Sequence, residues 1–459
     1  MADKDSGRLR FMMFTSFAPA GPPGMAWHHP KAVNFDYLNV ADWVRLVQAL
    51  EAATFDGIFW ADHSGVHDTY QGSWATSVKE AVQFPLGDPL LLTAALASAT
   101  RNLGFAFSAN VIQDHPYAFA RRLSTLDHLT KGRVAWNIVT SFQKSAWMNL
   151  GFDAVGAHAS RYERAEEYVT VIYKLLEGSW DADAVVRDVG HRVYADPEKV
   201  REITHEGKYF KIQGIHTSEP SPQRVPLLFQ AGSSADGRNF ASQNAEAIFI
   251  AAHNPRGARA VVDDLSSRLA AKGRRPSDVQ YFAHRNYVIG STEAEARRKD
   301  ARTQEILSSE TTLAFSSSTM GVDLATIELD APVGDFQTNA LQGQFKALAE
   351  AAPDKRWTFR DVVTYVTRNR FVGTPEQAAD ELEDWRAAGI NGMNVTLMTG
   401  TEDMYDFLEH VTPVFKQRGL MQKEYAPGTL REKFFAGTRS ESGPRINARH
   451  PAARYRSPA

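Results

Sequence analysis

Short apolar runs rich in β-branched and aromatic residues alternate along the chain with longer amphipathic stretches. Runs of four to eight such residues are the mark of strands buried on both faces of a parallel sheet, and the stretches between them have helical period. The pattern predicts strands over Leu9–Thr15, Gly57–Ala61, Leu103–Phe107, Arg133–Val139, Val225–Gln230, Ala247–Ala251, Val279–Ile289 and Gly392–Leu397. It predicts helices near 40–54, 88–100, 116–130, 160–177, 235–244, 255–272, 293–308, 375–388 and 402–418, with Gly373 and Thr374-Pro375 as punctuation before one of them. Two tracts break the alternation. Residues 178–224 carry the charges, prolines and polar turns of an insertion, and 309–360 holds the run Ser316-Ser317-Ser318-Thr319 ahead of a Pro-containing loop. No tandem repeat is visible.

Eight βα units with insertions predict an α/β fold of the TIM (β/α)8 barrel type, a single domain over residues 1–437 with insertions near 178–224 and 309–360. The tail, 438–459, is dominated by Arg, Ser and Pro and reads as an arm that packs on the body or stays mobile. In such a barrel chemistry collects where strands end. Here the apolar runs end in Ser16, in Asp62-His63, in Ser108, in Asn137 with Thr140-Ser141, in Gln230 with Gly232-Ser233-Ser234, and in His253. Each alone has the plain reading of a turn residue bonded to the backbone. Six in series deliver polar groups to one rim.

Composition narrows the chemistry. The 459 residues include 51 basic and 54 acidic side chains, a net charge of -3. That balance gives no basic face for nucleic acid. No apolar run approaches the roughly 20 residues of a membrane span, and the first residues lack a signal-peptide core, so a cytoplasmic protein is expected. With no cysteine, thiolate metal sites, Cys nucleophiles and dithiol redox pairs are excluded, and any oxidation chemistry must be carried by a cofactor. HExxH, GxSxG, GxxxxGK[ST] and GxGxxG are all absent. His28-His29 and His63 with His67 lack the spacing and acidic third ligand of a metal site and read as ordinary polar histidines, so no metal is expected. Glu166-Glu167 read as a solvated helix face.

Two local patterns suit an anion. Gln230-Ala231-Gly232-Ser233-Ser234 runs from a strand through glycine and two hydroxyls into a helix containing Arg238, which is either a phosphate cradle or a plain serine N-cap. Arg161-Tyr162-Glu163-Arg164, just after His158, supplies donors to the same phosphate or is helix-surface charge.

The segment His115-Pro116-Tyr117-Ala118-Phe119-Ala120-Arg121-Arg122-Leu123-Ser124-Thr125-Leu126-Asp127-His128-Leu129-Thr130-Lys131-Gly132-Arg133, leading into Trp136-Asn137-Ile138-Val139-Thr140-Ser141, closely resembles the flavin-dependent monooxygenases of the bacterial-luciferase-like superfamily. The resemblance is to the branch that holds the nitrilotriacetate, dibenzothiophene-sulfone, long-chain alkane and dimethyl sulfide monooxygenases. It covers nearly the whole chain, with further matches at Phe55–Asp62, Tyr173–Trp180, Glu219–Arg224 and Pro413–Gly419. The stretch Ala452-Ala453-Arg454-Tyr455-Arg456 points particularly to the alkane and dimethyl sulfide members.

The resemblance implies a barrel that binds reduced FMN delivered by a separate NAD(P)H:flavin reductase. A flavin C4a-hydroperoxide then places one atom of O2 in a small organic substrate. It further implies that Asp62, Ser108 and Asn137 contact the flavin ring and ribityl chain, that His158, Tyr162, Ser233 and Ser234 hold the phosphate end, and that the chain forms a homodimer or homotetramer. No acid or base residue is assigned. The first loop departs from the family pattern, reading Phe17-Ala18-Pro19-Ala20-Gly21-Pro22-Pro23-Gly24 and then Trp27-His28-His29-Pro30. A proline-rich apolar roof favours a hydrophobic substrate such as an alkane or organosulfur compound, with His29 as a candidate substrate-pocket residue or a structural hydrogen-bonding group. Two alternatives stand beside this reading: a deazaflavin-dependent oxidoreductase of the same superfamily, and a non-enzymatic flavin-binding barrel.

Overall fold

The computed structural model describes residues 7–19, 27–30, 35–306, 309–333, 355–397, 401–438, 440 and 442–456. Eight strands form the ring: β1 (Arg10–Thr15), β2 (Gly57–Trp60), β3 (Gly104–Asn110), β4 (Val134–Val139), β5 (Leu227–Gln230), β6 (Ala247–Phe249), β7 (Gln280–Ile289) and β8 (Gly392–Leu397). All pair in parallel, β8 joins β1 to β7, and β6 pairs with β7 to close the circle. The fold is a TIM barrel, and all eight predicted strands are present. Outside the ring run α1 (Val40–Ala52), α2 (Pro89–Ala97), α3 (Pro116–Leu129), α4 (His158–Tyr173), α5 (Ala235–Asn244), α6 (Pro255–Ala271), α7 (Pro375–Ala387) and α8 (Thr401–His410). Side-chain caps open several: Asp88 accepts from Leu90 N–H, Ser234 from Gly237 N–H and Thr374 from Gln377 N–H.

Two features escaped the sequence pattern. Residues 178–224 build two antiparallel hairpins, Val185–Asp188 with Val193–Ala195 and Ile203–Glu206 with Lys211–Gly214. Their strands are too short and too charged to stand out from loop. A three-residue strand, Phe371–Gly373, pairs with the far end of β7. In the other insertion the small polar run lies inside a helix, Ser309–Met320, with Ser316, Ser317 and Ser318 buried. Glu166 and Glu167 are not a solvated face. Glu167 accepts hydrogen bonds from the Tyr209 and Phe210 N–H groups at 3.0 and 2.7 Å, and Glu166 accepts from the Asn244 amide at 3.1 Å, so this pair anchors α4 to its neighbours.

The barrel interior is divided along its axis. Its lower part is apolar: Met12, Phe59, Ala106, Ala135, Phe229 and Phe282 pack with Leu430, Phe434 and Phe435 of a short helix, Leu430–Phe435, contributed from beyond the last strand. Phe434 stacks on Phe282 with centroids 5.8 Å apart and meets Phe229 edge-on at the same distance. Arg431 on the same helix is fully buried and forks onto Glu246 at 2.7 and 2.9 Å, while also donating to the Val225 carbonyl. Beyond it, residues 442–456 lie on the same end of the molecule: Arg445 and Arg456 both meet the buried Glu177 carboxylate, and Arg449 binds Asp278. Two residues further up, on the same face, the lining turns polar on four strands: Ala106 gives way to Ser108, Ala135 to Asn137, Phe282 to His284 and Gly392 to Asn394.

Removing the plug should unseal the lower core: Phe434→Ala is expected to cost about 3–5 kcal/mol in urea unfolding, and a loss under 1 kcal/mol would show that the helix is dispensable. A second expectation concerns pH. His216, buried against α3 with its Nε2 2.8 Å from Ser124 Oγ, is pushed down to about 4 by burial and then by Arg224. Its unfolded value is 6.5, so the unfolded chain binds the extra proton and stability falls as pH drops from 6.5 toward 4. At about 1.4 kcal/mol per pH unit the loss nears 2 kcal/mol by pH 5. His216→Asn should reduce that slope by one proton in unfolding free energies measured at pH 7.5 and 5.

Candidate active site

The ends of β3, β4 and β5 open onto a cavity of about 330 Å³ lined by Asn110, Val139, Arg161, Tyr162, Gln230 and Ser233 among others. Its floor on one side is the turn after β5. Gly232 is pressed so closely on the start of α5 that a Cβ there would lie 2.5 Å from the Gly237 backbone, and a Cβ on Gly237 would meet Gly232 at 2.7 Å. Only a glycine pair lets the strand end and helix start touch, which brings the hydroxyl-bearing Ser233-Ser234 corner to the cavity. Ser234 Oγ caps α5 by accepting from Gly237 N–H at 3.0 Å. The helix-capping and anion-cradle readings of this turn are thus compatible.

From α4, three side chains face this corner. His158 hydrogen-bonds Asp236 through Nδ1 at 3.0 Å, and Tyr162 bonds toward Ser234 and Thr140, its phenol raised above its ordinary value by burial. Arg161 is buried and donates to the Ser141 carbonyl at 3.0 Å, which brings a guanidinium to the cavity wall. The remaining charges of that cluster turn elsewhere: Glu163 pairs with Lys208, and Arg164 stacks over Phe210 at 4.8 Å. Arg238, in the helix that follows, donates from Nε to the Ser233 carbonyl at 3.2 Å and binds Asp264 at 3.0 Å, and it is not among the residues lining the cavity.

The other expected residues are distributed as follows. Ser108 and Asn137 are buried inside the barrel on adjacent strands, and the Asn137 amide donates to Ser108 Oγ at 2.9 Å. Asn137 Oδ1, together with Asn394 Oδ1 and Thr396 Oγ1, has no hydrogen-bond partner among the described residues. Asp62 follows β2 and is pushed up to about 7, first by burial and then by the Asp88 carboxylate, so near neutral pH it exchanges between acid and carboxylate forms. Asp62, Ser108 and Asn137 are not among the residues lining the first cavity, and neither is His29. It lines a second cavity of about 830 Å³ with Tyr287, Lys299, Asp406 and His410, and the two cavities share no lining residue. Residues 20–26 of the expected proline-rich roof lie outside the described residues.

Sequence reasoning gave five residues no role in the site, although His63 stood among the polar strand ends. His63 and His67, read as ordinary polar histidines, line the first cavity; Phe315 and Thr319 from the Ser309–Met320 helix complete its wall. His284 on β7 opens onto the barrel mouth edge-on to Phe14, while the surrounding protein and Arg285 push its imidazole down to about 4. Period-two alternation from Phe282 was the one signal that could have found it. Among the described residues, no helix is long and apolar enough to cross a membrane.

A family model described as luciferase-like monooxygenase matches residues 10–392. The chain belongs to that family. Among its relatives, the dimethyl-sulfide monooxygenase of Hyphomicrobium sulfonivorans is 39% identical, the match covering 94% of this chain and 90% of that one. The long-chain alkane monooxygenase of Geobacillus thermodenitrificans is 40% identical over 94% of both chains. A solved riboflavin lyase, described with modified FMN and riboflavin, is 32% identical and superposes with a TM-score of 0.89 over 98% of this chain and 100% of that one. This luciferase-like barrel is accordingly an enzyme of the flavin-dependent monooxygenase class.

The glycine contact gives a direct test of the cradle's construction. Gly232→Ala should force β5 and α5 apart at a cost of about 1–3 kcal/mol, read by urea unfolding; an unchanged midpoint would show that the two elements separate freely.

Proposed function

We propose that this protein is the oxygenating component of a two-component, FMNH2-dependent monooxygenase, with reduced FMN supplied by a separate NAD(P)H:flavin reductase. The observation that carries the reading is the corner at Ser233-Ser234. Two hydroxyls at the N-terminus of α5, with Arg161, Tyr162 and His158 converging from α4, form a donor set suited to a phosphate monoester. It sits at the C-terminal end of β5 in a luciferase-like barrel. The fit extends inward: Asn137 Oδ1 and Asn394 Oδ1 are buried acceptors with no protein donor among the described residues, and a flavin ring carries N–H donors.

In this reading Ser233, Ser234, His158 and Tyr162 hold the phosphate, while Asp62, Ser108 and Asn137 orient the ring. When bound, reduced flavin supplies the reaction with O2 that places one oxygen atom in the substrate and releases the other as water. The chain's own part is to position and to exclude water. The plugged barrel floor seals the site from below, and Phe315 covers the cavity from the insertion side. Asp62, poised near 7, can hold or release a proton at its carboxyl oxygen. A cavity walled by Ile138, Val139 and Phe315 suits a small, largely apolar molecule, an alkane or organosulfur compound. We read residues 1–437 as one functional barrel carrying 438–459 as an arm, and the enzyme as a cytoplasmic homodimer or homotetramer beside its reductase.

The test mixes purified protein with a flavin reductase, NADH, FMN and 18O-labelled dioxygen across alkanes, organosulfur compounds and halogenated aromatics. A product with one labelled oxygen is expected; release of hydrogen peroxide alone across the whole panel would reject the reading. Ser233→Asp, which sets a carboxylate against the phosphate, should weaken FMN binding at least tenfold in a fluorescence titration.

A further inference from the structure

The loop after β2 carries two imidazoles into the cavity wall, and neither is used in the flavin site proposed above. The loop is rigidly held. Ser145 Oγ donates to the Val66 carbonyl at 2.8 Å and accepts from Val66 N–H at 2.9 Å, and Ser77 Oγ donates to the His67 carbonyl at 2.6 Å. A Cβ on Gly65 would fall 2.6 Å from Ser145 Oγ and 2.7 Å from the Ala146 nitrogen, so the loop packs against this segment more closely than a side chain there would allow.

Hydrogen bonding fixes what each ring offers. His63 Nδ1 lies 2.9 Å from the Gly65 carbonyl, which can only accept, so Nδ1 carries the hydrogen and Nε2 is left as an acceptor. His67, 3% exposed, donates through Nε2 to Gln83 Oε1 at 3.1 Å, leaving Nδ1 as an acceptor. Neither His63 Nε2 nor His67 Nδ1 has a hydrogen-bond partner among the described residues, and the rings lie 5.4 Å apart. Burial and the mutual proximity of the rings keep the His63 imidazole neutral, with its value pushed down to about 3. A buried acceptor without a donor is costly, and here two belong to neighbouring side chains that both line the cavity. Phe315 packs edge-on to His67 at 5.6 Å, so the surface around the two acceptors is apolar.

We propose that His63 and His67 form a substrate-recognition site that selects an organic molecule with an apolar body and one hydrogen-bond donor, a hydroxyl or N–H, directed at the imidazole lone pairs. This rests on the monooxygenase reading and narrows it: within the apolar substrate class, the site discriminates in favour of a donor-bearing member. The chemistry is that of a polar group in an otherwise apolar pocket, which penalises an analogue unable to satisfy it.

The discriminating experiment needs no turnover. Hexan-1-ol and methyl pentyl ether share one formula and differ in possessing a donor. Their affinities for the flavin-free protein are compared by ligand-observed NMR titration, for wild type, His63→Leu and His63→Gln. The alcohol is expected to bind wild type about tenfold more tightly than the ether, His63→Leu to abolish that preference, and His63→Gln, which keeps an acceptor, to retain most of it. Equal affinities in wild type, binding of neither probe, or a preference that survives His63→Leu would overturn the proposal. Loss of oxygen transfer with the alcohol preference intact would count against the monooxygenase reading alone.

Discussion

Everything above the floor of this barrel depends on how the floor is closed. The strands fill the barrel interior with their own side chains, and here its lower end is closed by Leu430 and Phe434 while the neighbouring Arg431 is bound to Glu246. A buried ion pair of this kind contributes little net stability against an apolar equivalent, yet losing one partner leaves an uncompensated charge inside the protein. Its geometric effect is plainer. Arg431 also holds the Val225 and Pro444 carbonyls, so the helix, the approach to β5 and the terminal segment are fixed against each other at one guanidinium.

With the lower lumen dry and full, the strands are free to end in polar side chains at the other end, where those groups meet a cavity instead of a core. One step of two residues separates the two chemistries on β3, β4 and β7. The aromatic stack of Phe229, Phe282 and Phe434 sits under Ser108, Asn137 and His284, and the functional groups inherit their positions from strand register, which is stiffer than any loop.

The strands were legible in sequence because parallel strands covered on both faces read as continuous apolar runs. The hairpins of 178–224 were not, since they are surface ribbons with charges on both faces. At the site, the Ser233-Ser234 corner and the α4 donors announced themselves through a strand–glycine–hydroxyl–helix order that is local. Direction was not local: Arg161 and Arg238 look alike in sequence, but Arg161 lines the cavity while Arg238 bonds the Ser233 carbonyl and Asp264 outside it. The importance of His63 and His67 was hidden for a related reason. Their cavity wall is completed by Phe315, some 250 positions later, and no spacing rule spans an insertion of that kind.

The floor helix also sets an order of events during synthesis. Arg10 on the first strand donates to the Ala436 carbonyl and Arg8 to that of Lys433, contacts spanning more than 420 positions. A chain extended only through β8 would have every strand of the ring and no stopper, with Phe229 and Phe282 facing an open lumen. Such high-order contacts form late and slowly, so the nascent protein carries an exposed aromatic interior until residues 430–436 emerge. Chaperone demand, and the fate of prematurely terminated chains, are therefore written into where the sequence places one short helix.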